Sequence, residues 1–278
     1  MGECRLGLYE KAMPAQLGWE ERLEAAGAAG FDYVEMSIDE TNARLSRLEW
    51  SDGQRRDCLR AVLDSGVPIH SMCLSGHRKY PLGSHDPAIR QRSLEILRRA
   101  VDLACALGIR IIQLAGYDVY YETGDALTRG YFEENLARSV EYAARNGVPL
   151  GFETMETPFL DTVRKGMRYV RGIHSPYLGM YPDLGNLTNA AKLYGGDWAE
   201  DLRSGAGSIL ALHLKETEVG KYRDMEFGAG HVDFACGIQT ARALGVRMFV
   251  AEYWHHGSEH WRREIRGISI FLRRYLEP

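Results

Sequence analysis

A chain of 278 residues, 45% hydrophobic and 26% charged, lies near the typical length, roughly 250 residues, of a single eightfold α/β barrel and has ample material for one core. Its formal net charge of −4 excludes the basic footprint that nucleic acid or an anionic membrane surface demands, and leaves a small molecule as the expected partner. The five cysteines, Cys4, Cys58, Cys73, Cys105 and Cys236, are odd in number, scattered and without a CxxC pair, which argues against a disulfide framework or a thiolate zinc site. No apolar run approaches the roughly 18 residues of a membrane span, and the first residues read directly into a strand, so the expected compartment is cytoplasmic.

In chain order, short β-rich runs at 5–10, 31–37, 68–73, 110–116, 149–154, 177–182, 209–215 and 248–253 alternate with segments of helical periodicity. Those segments fall at 19–29, 52–65, 87–107, 131–146, 161–173, 190–204, 234–244 and 260–276. Gly30, Gly66, Gly108, Gly147 and Gly245 stand where helices should end. Parallel neighbours need a crossover helix, so eight strand-helix units predict a (β/α)8 barrel in one domain, residues 1–278. A doubly wound open sheet is the alternative, but no GxGxxG turn follows an early strand.

Barrel active sites form at the carboxyl ends of the strands. The last four strands each place one ionisable residue there: Glu153, Asp183, His213 and Glu252. Three carboxylates buried together repel one another, and a divalent cation offsets that cost. Three oxygens and one imidazole nitrogen suit Mn²⁺, Mg²⁺, Co²⁺ or Zn²⁺. Taken singly, any of the four can instead serve as a helix cap or satisfy a backbone amide.

Earlier strands end in further polar groups: Glu10–Lys11, then Glu35, Ser37, Asp39 and Glu40, then Ser75–Gly76–His77–Arg78–Lys79, then Gln113, Tyr117 and Asp118. A His-Arg-Lys run beside glycine can receive a phosphate, and loop solvation explains it equally well. His255, His256 and His260 read as loop residues rather than ligands.

Several stretches carry a family resemblance: Gly-Leu-Tyr-Glu-Lys-Ala (7–12), Phe-Asp-Tyr-Val-Glu-Met-Ser-Ile-Asp-Glu-Thr (31–41), Arg-Leu-Ser-Arg-Leu (44–48), Ser-Met-Cys-Leu-Ser (71–75), Ile-Gln-Leu-Ala-Gly-Tyr-Asp-Val-Tyr-Tyr (112–121) and Tyr-Pro-Asp-Leu-Gly-Asn (181–186). In these the chain resembles the L-ribulose-5-phosphate 3-epimerases, also called L-xylulose-5-phosphate 3-epimerases, of bacterial L-ascorbate utilisation, in the xylose-isomerase-like barrel superfamily. The resemblance covers nearly the whole chain and is densest in the first 125 residues. Ala-Glu-Tyr-Trp (251–254) and the His-His-Gly after it depart from the forms expected of the family.

The resemblance implies epimerisation of a ketopentose phosphate at carbon 3, one divalent metal on Glu153, Asp183, His213 and Glu252, and a homodimer. Glu153 and Glu252 are then the catalytic pair as well as ligands. Lys11, His77, Arg78, Lys215 and Lys221 are the substrate-binding candidates, ranked by loop position. Competing readings are a 3-epimerase of free ketoses, an aldose-ketose isomerase, a non-catalytic sugar-binding protein and an endonuclease IV-like nuclease. The nuclease would need more strand-end histidines and a basic surface.

Overall fold

The computed structural model describes residues 3–277. Its sheet has eight parallel strands: β1 Arg5–Tyr9, β2 Tyr33–Ile38, β3 Ile69–Leu74, β4 Ile111–Ala115, β5 Leu150–Glu153, β6 Leu178–Met180, β7 Leu212–Leu214 and β8 Met248–Ala251. They run in the order β6-β5-β4-β3-β2-β1-β8-β7. Parallel bridges Met180↔Ile209 and Asp183↔His213 join the two outer strands and close the ring. The fold is the (β/α)8 barrel that the alternation predicts.

The helices are α1 Trp19–Ala28, α2 Asn42–Leu45, α3 Asp52–Ser65, α4 Pro87–Leu107, α5 Ala126–Arg145, α6 Val163–Ile173, α7 Leu184–Tyr194, α8 Trp198–Arg203, α9 Phe234–Ala243 and α10 Trp261–Leu276. Gly66 and Gly108 end α3 and α4 in the left-handed conformation expected of them. Two expectations are corrected. The single helix at 190–204 is two, because the Asp183 side chain accepts from the Asn186 amide and starts α7 at the strand end, Gly195 stops it, and Asp197 caps α8 afresh. The helix expected from 131 begins at Ala126, where the Asp125 side chain accepts from the amides of Leu127 and Thr128. Among the described residues no helix is long and apolar enough to cross a membrane, and all five cysteines are free thiols.

Most of the apolar core lies between the strands and the helices that surround them. A second, smaller cluster fills the barrel interior and includes Tyr9, Tyr33, Ile111, Tyr181 and Val250. Side chains alternate across a strand, so on β2 Tyr33, Glu35 and Ser37 share the inward phase. Tyr33 pairs in register with Gly7 on β1, and its ring occupies the space that a Cβ at position 7 would need. The Tyr33 hydroxyl donates to the Phe249 carbonyl and so closes the floor beneath the polar layer.

The β1–α1 turn, which carries Lys11, is shaped by a buried guanidinium. Arg22 on α1 donates to the carbonyls of Leu17, Glu10, Pro14 and Ala15 at 3.1, 3.2, 3.0 and 2.9 Å. Those carbonyls face inward because the turn folds over α1, and no other side chain serves them as a group. Replacing Arg22 with methionine keeps the length but strands the Leu17 and Ala15 carbonyls, while those of Glu10 and Pro14 keep the amides of Met13 and Leu17. The expected loss is about 3 kcal/mol of unfolding free energy, read by urea denaturation, with a shift under about 0.5 kcal/mol refuting the role.

Candidate functional site

Glu153 ends β5, Asp183 follows β6, His213 lies within β7 and Glu252 follows β8, so four adjacent strands deliver four side chains to one end of the barrel. All four are buried, and one potential ligand atom from each lies within 4.8 Å of every other. The His213 Nδ1 stands 3.2 Å from Glu252 Oε2 and 3.7 Å from Glu153 Oε1. The structure therefore brings together the four residues that strand-end reasoning selected.

Beneath them lies Glu35, whose role the sequence did not disclose. It crosses the barrel from β2 to meet His213 Nε2 at 2.6 Å, while its other oxygen accepts from Ser71 at 2.6 Å and from Tyr181 at 2.9 Å. With Nε2 engaged below, Nδ1 is the imidazole nitrogen that faces the carboxylates. The Gln113 amide nitrogen also lies beside the ring, 3.1 Å from Nε2. The signal for Glu35 was available: it is a charged residue on the inward phase of a strand whose other residues are apolar, aromatic or small.

Charge is balanced by Lys215, two residues beyond His213. Its ammonium lies 3.2 Å from Glu252 and 3.5 Å from Asp183. Burial opposes the charged form of Glu252, yet Lys215 and His213 hold its carboxyl well below the usual range. Burial pushes Glu153 upward, and the charge of Glu252 adds to the rise. Burial lifts Asp183 well above its ordinary value, with Lys215 opposing, as fits a lysine closer to Glu252 than to Asp183. His213 is raised despite its burial by the carboxylates of Glu35 and Glu252, and Lys215 likewise by Asp183 and Glu252.

One oxygen of Asp183 accepts from the Asn186 amide at 2.6 Å, and the other is buried without a partner. An orphaned carboxylate oxygen beside two further carboxylates and an imidazole nitrogen is a donor set that a divalent ion would satisfy, so these residues fit a metal.

Above this cluster opens a cavity lined in part by Glu153 and Glu252 and in part by Lys11, Arg78, Lys215 and Arg223. Arg78 lies over the Tyr120 ring at 4.8 Å and within 4.0 Å of Glu156, while Lys11 pairs with Asp39 at 2.6 Å. Trp254 packs against Lys215 and Arg223 at 5.9 and 5.7 Å. Asn186, Tyr222, Arg223 and Trp254 were not foreseen as lining residues. Arg223 and Tyr222 sit on an aperiodic loop that carries no pattern to read, whereas Asn186 stands three residues after a capping aspartate, a spacing that marks a helix start.

Two of the sequence candidates lie elsewhere. His77 is buried outside the cavity lining, with its Nε2 3.2 Å from the Ser93 carbonyl on α4, because the short turn after β3 folds its ring onto that helix. Lys221 is exposed and forms a backbone bridge with Glu218, so its neighbours Tyr222 and Arg223 reach the cavity instead. Lys11, Arg78 and Lys215 do line it.

Comparison with known proteins agrees with this architecture. Residues 23–275 match the family described as xylose isomerase-like TIM barrel. The L-ribulose-5-phosphate 3-epimerase UlaE of Shigella flexneri is 44% identical over 255 residues, which cover 91% of this chain and 88% of that protein. The chain belongs to the L-ribulose-5-phosphate 3-epimerase family. SgbU of Escherichia coli (strain K12) is 45% identical over 100% of this chain and 96% of its own length. Among solved structures, a D-psicose 3-epimerase in the presence of D-fructose superposes with a TM-score of 0.81 at 15% identity, covering 99% of this chain and 100% of that one. An L-ribulose 3-epimerase superposes with a TM-score of 0.79 at 20% identity, covering 99% and 95%. At those identities the likeness is one of fold.

Burial of the His77 ring lowers its pKa from 6.5 to about 4, with the Ser93 carbonyl opposing. A depressed folded-state value means that this stabilisation is full above about 6.5 and is lost as the pH falls through about 4, a change on the order of 3 kcal/mol. The His77→Gln protein, which keeps a donor for Ser93, should lose that part of its acid sensitivity. Urea denaturation of both proteins at pH 7 and pH 4 checks it; equal pH sensitivities contradict it.

Proposed function

We propose that this chain is a metal-dependent 3-epimerase that interconverts L-ribulose 5-phosphate and L-xylulose 5-phosphate. The observation that carries the reading is the pairing of Glu153 and Glu252, both buried, both grouped with Asp183 and His213, and both lining a cavity that also presents Lys11, Arg78 and Arg223. Kinship with L-ribulose-5-phosphate 3-epimerases supports the substrate class.

Inversion of a carbon beside a carbonyl requires loss of its proton on one face and return of a proton on the other, so two bases must flank a planar enediolate. In this reading Glu153 and Glu252 are those bases, and each alternates between acceptor and donor according to the direction of reaction. A divalent ion held by Glu153, Asp183, His213 and Glu252 would act as a Lewis acid that favours negative charge on the ketose oxygens. Asp183 and His213 are the holders, with Glu35 orienting the imidazole from below. Lys215 places a positive charge beside the same oxygens and keeps Glu252 ionised.

Around the same cavity, Lys11, Arg78 and Arg223 supply the cationic contacts for the 5-phosphate. Three cationic groups on one cavity support the phosphorylated substrate over a free ketose.

The deciding assay follows L-xylulose 5-phosphate by NMR in D₂O, with and without chelator. Expected are the C3 epimer, deuterium at C3, and loss of both on chelation with recovery on adding Mn²⁺. Rearrangement between C1 and C2 instead would show an aldose-ketose isomerase. Glu153→Gln and Glu252→Gln should each remain folded by circular dichroism and lose at least about 10³-fold in epimerisation; near-normal C3 exchange in both would sink the two-base scheme. Arg78→Ala should raise the KM for the phosphorylated ketose about tenfold or more without a matching change in any turnover of free L-ribulose. An unaltered KM removes Arg78 from phosphate recognition.

A further inference from the structure

The loop between β7 and α9 carries two residues of the cavity wall, Tyr222 and Arg223, on a stretch that is mostly exposed and has no helix or strand to stiffen it. Its two ends, in contrast, converge on one buried side chain. Glu216 Oε1 accepts from the amides of Thr217 and Val232, both at 3.1 Å, and Oε2 accepts from the amide of Gly228 at 2.8 Å. One carboxylate thus ties the outgoing chain to two points of the returning chain.

The closure is reinforced around it. The His231 amide donates to the Thr217 carbonyl at 3.0 Å, and the Thr217 hydroxyl lies 3.0 Å from His231 Nε2 and donates to the Gly185 carbonyl at the start of α7. Gly230 is required by the same closeness, since a Cβ there would collide with the Thr217 carbonyl and the Glu216 carboxylate. Phe227 anchors the returning chain against Phe234 and Phe271, with ring centres 5.3 and 6.2 Å away. The apex is held more lightly, by a backbone turn between Glu218 and Lys221, the Gly220 amide on Asn189, and side-chain contacts of Arg223 with Trp254 and Asp224 with His256. The firmest polar contacts of the loop that carries Arg223 thus lie at its base.

We infer that Glu216 is a positioning residue: its carboxylate pins residues 217–232 as a closed loop and thereby places Arg223 in the cavity to meet the charged end of the substrate. The assignment of that end rests on the epimerase reading above, whereas the pinning rests on the three amide contacts. Charge-assisted hydrogen bonds from amides to a buried carboxylate are among the stronger polar contacts. An amide side chain in its place has one acceptor oxygen and sets its own NH₂ against a backbone N–H. Glu216 itself lines no part of the cavity, so its removal should weaken substrate binding without changing the bases.

The test compares wild type, Glu216→Gln, Glu216→Ala, Arg223→Ala and the double variant Glu216→Ala/Arg223→Ala by hydrogen exchange over 217–232, by bound-metal content, and by kinetics on L-xylulose 5-phosphate. Both Glu216 variants should lose exchange protection in 217–232 and keep their metal. Their KM should rise about tenfold, with kcat changed less than about threefold. In Glu216→Ala/Arg223→Ala the second change should add little to the first, because both remove one contact. Lost protection with an unchanged KM overturns the coupling to substrate, and parallel loss of metal and kcat overturns it in favour of a direct effect on the Lys215 and His213 side. If the wild-type protein turns over no ketopentose phosphate, the epimerase reading fails. Hydrogen exchange still decides the pinning, which unchanged protection in Glu216→Ala overturns.

Discussion

Four carboxylates, from Glu35, Glu153, Asp183 and Glu252, converge on the imidazole of His213 inside a barrel whose floor is sealed by Tyr33 and neighbouring apolar side chains. Like charges in such a medium cannot remain together unless something opposes them. The protein opposes them in layers. Glu35 is satisfied from three sides by hydroxyls and the imidazole; Lys215 stands against Glu252 and Asp183; and one oxygen of Asp183 is absorbed by the first turn of α7. What is left over is one unpartnered oxygen and a set of converging lone pairs, and that residue of uncompensated charge is what equips the barrel to hold a cation.

The same constraint divides the cavity. Its deep side is acidic and belongs to the strand ends, which are rigid. Its outer side is basic and belongs to turns and loops: Lys11 after β1, Arg78 after β3, Arg223 in the β7–α9 connection. Each of these cations is held by something local. Arg22 shapes the turn of Lys11, Tyr120 and Glu156 flank Arg78, and Glu216 closes the loop of Arg223. Rigid strand ends carry the acidic cluster and loops carry the outer cations, a division of labour common in barrel enzymes.

The barrel and its acidic centre were legible because both depend on periodicity. Strand-helix alternation shows in the spacing of apolar residues, and an ionisable residue at a strand end announces itself against an apolar run, as Glu153 does after Leu-Gly-Phe and Glu252 after Phe-Val-Ala. The outer cations were harder. Lys11, Arg78 and Lys215 were close enough to strand ends to be selected, whereas His77 and Lys221 were selected with equal reason and face elsewhere, since a turn of a few residues can point any side chain in any direction. Glu216 reads in sequence as one more charged loop residue. Its three amide partners lie up to sixteen positions away and become visible only when the chain is folded.

The barrel closes between its two shortest strands, β6 and β7, which meet through single bridges rather than a continuous ladder, and one of those bridges joins Asp183 to His213. That seam is the most sparsely laddered joint of the sheet, and the two side chains that flank it belong to the same buried cluster. An occupant bound by both would act as a rivet through the overlap of a rolled plate. It would fasten the cylinder with the same residues that form the site, so that ring closure and ligand geometry share one joint.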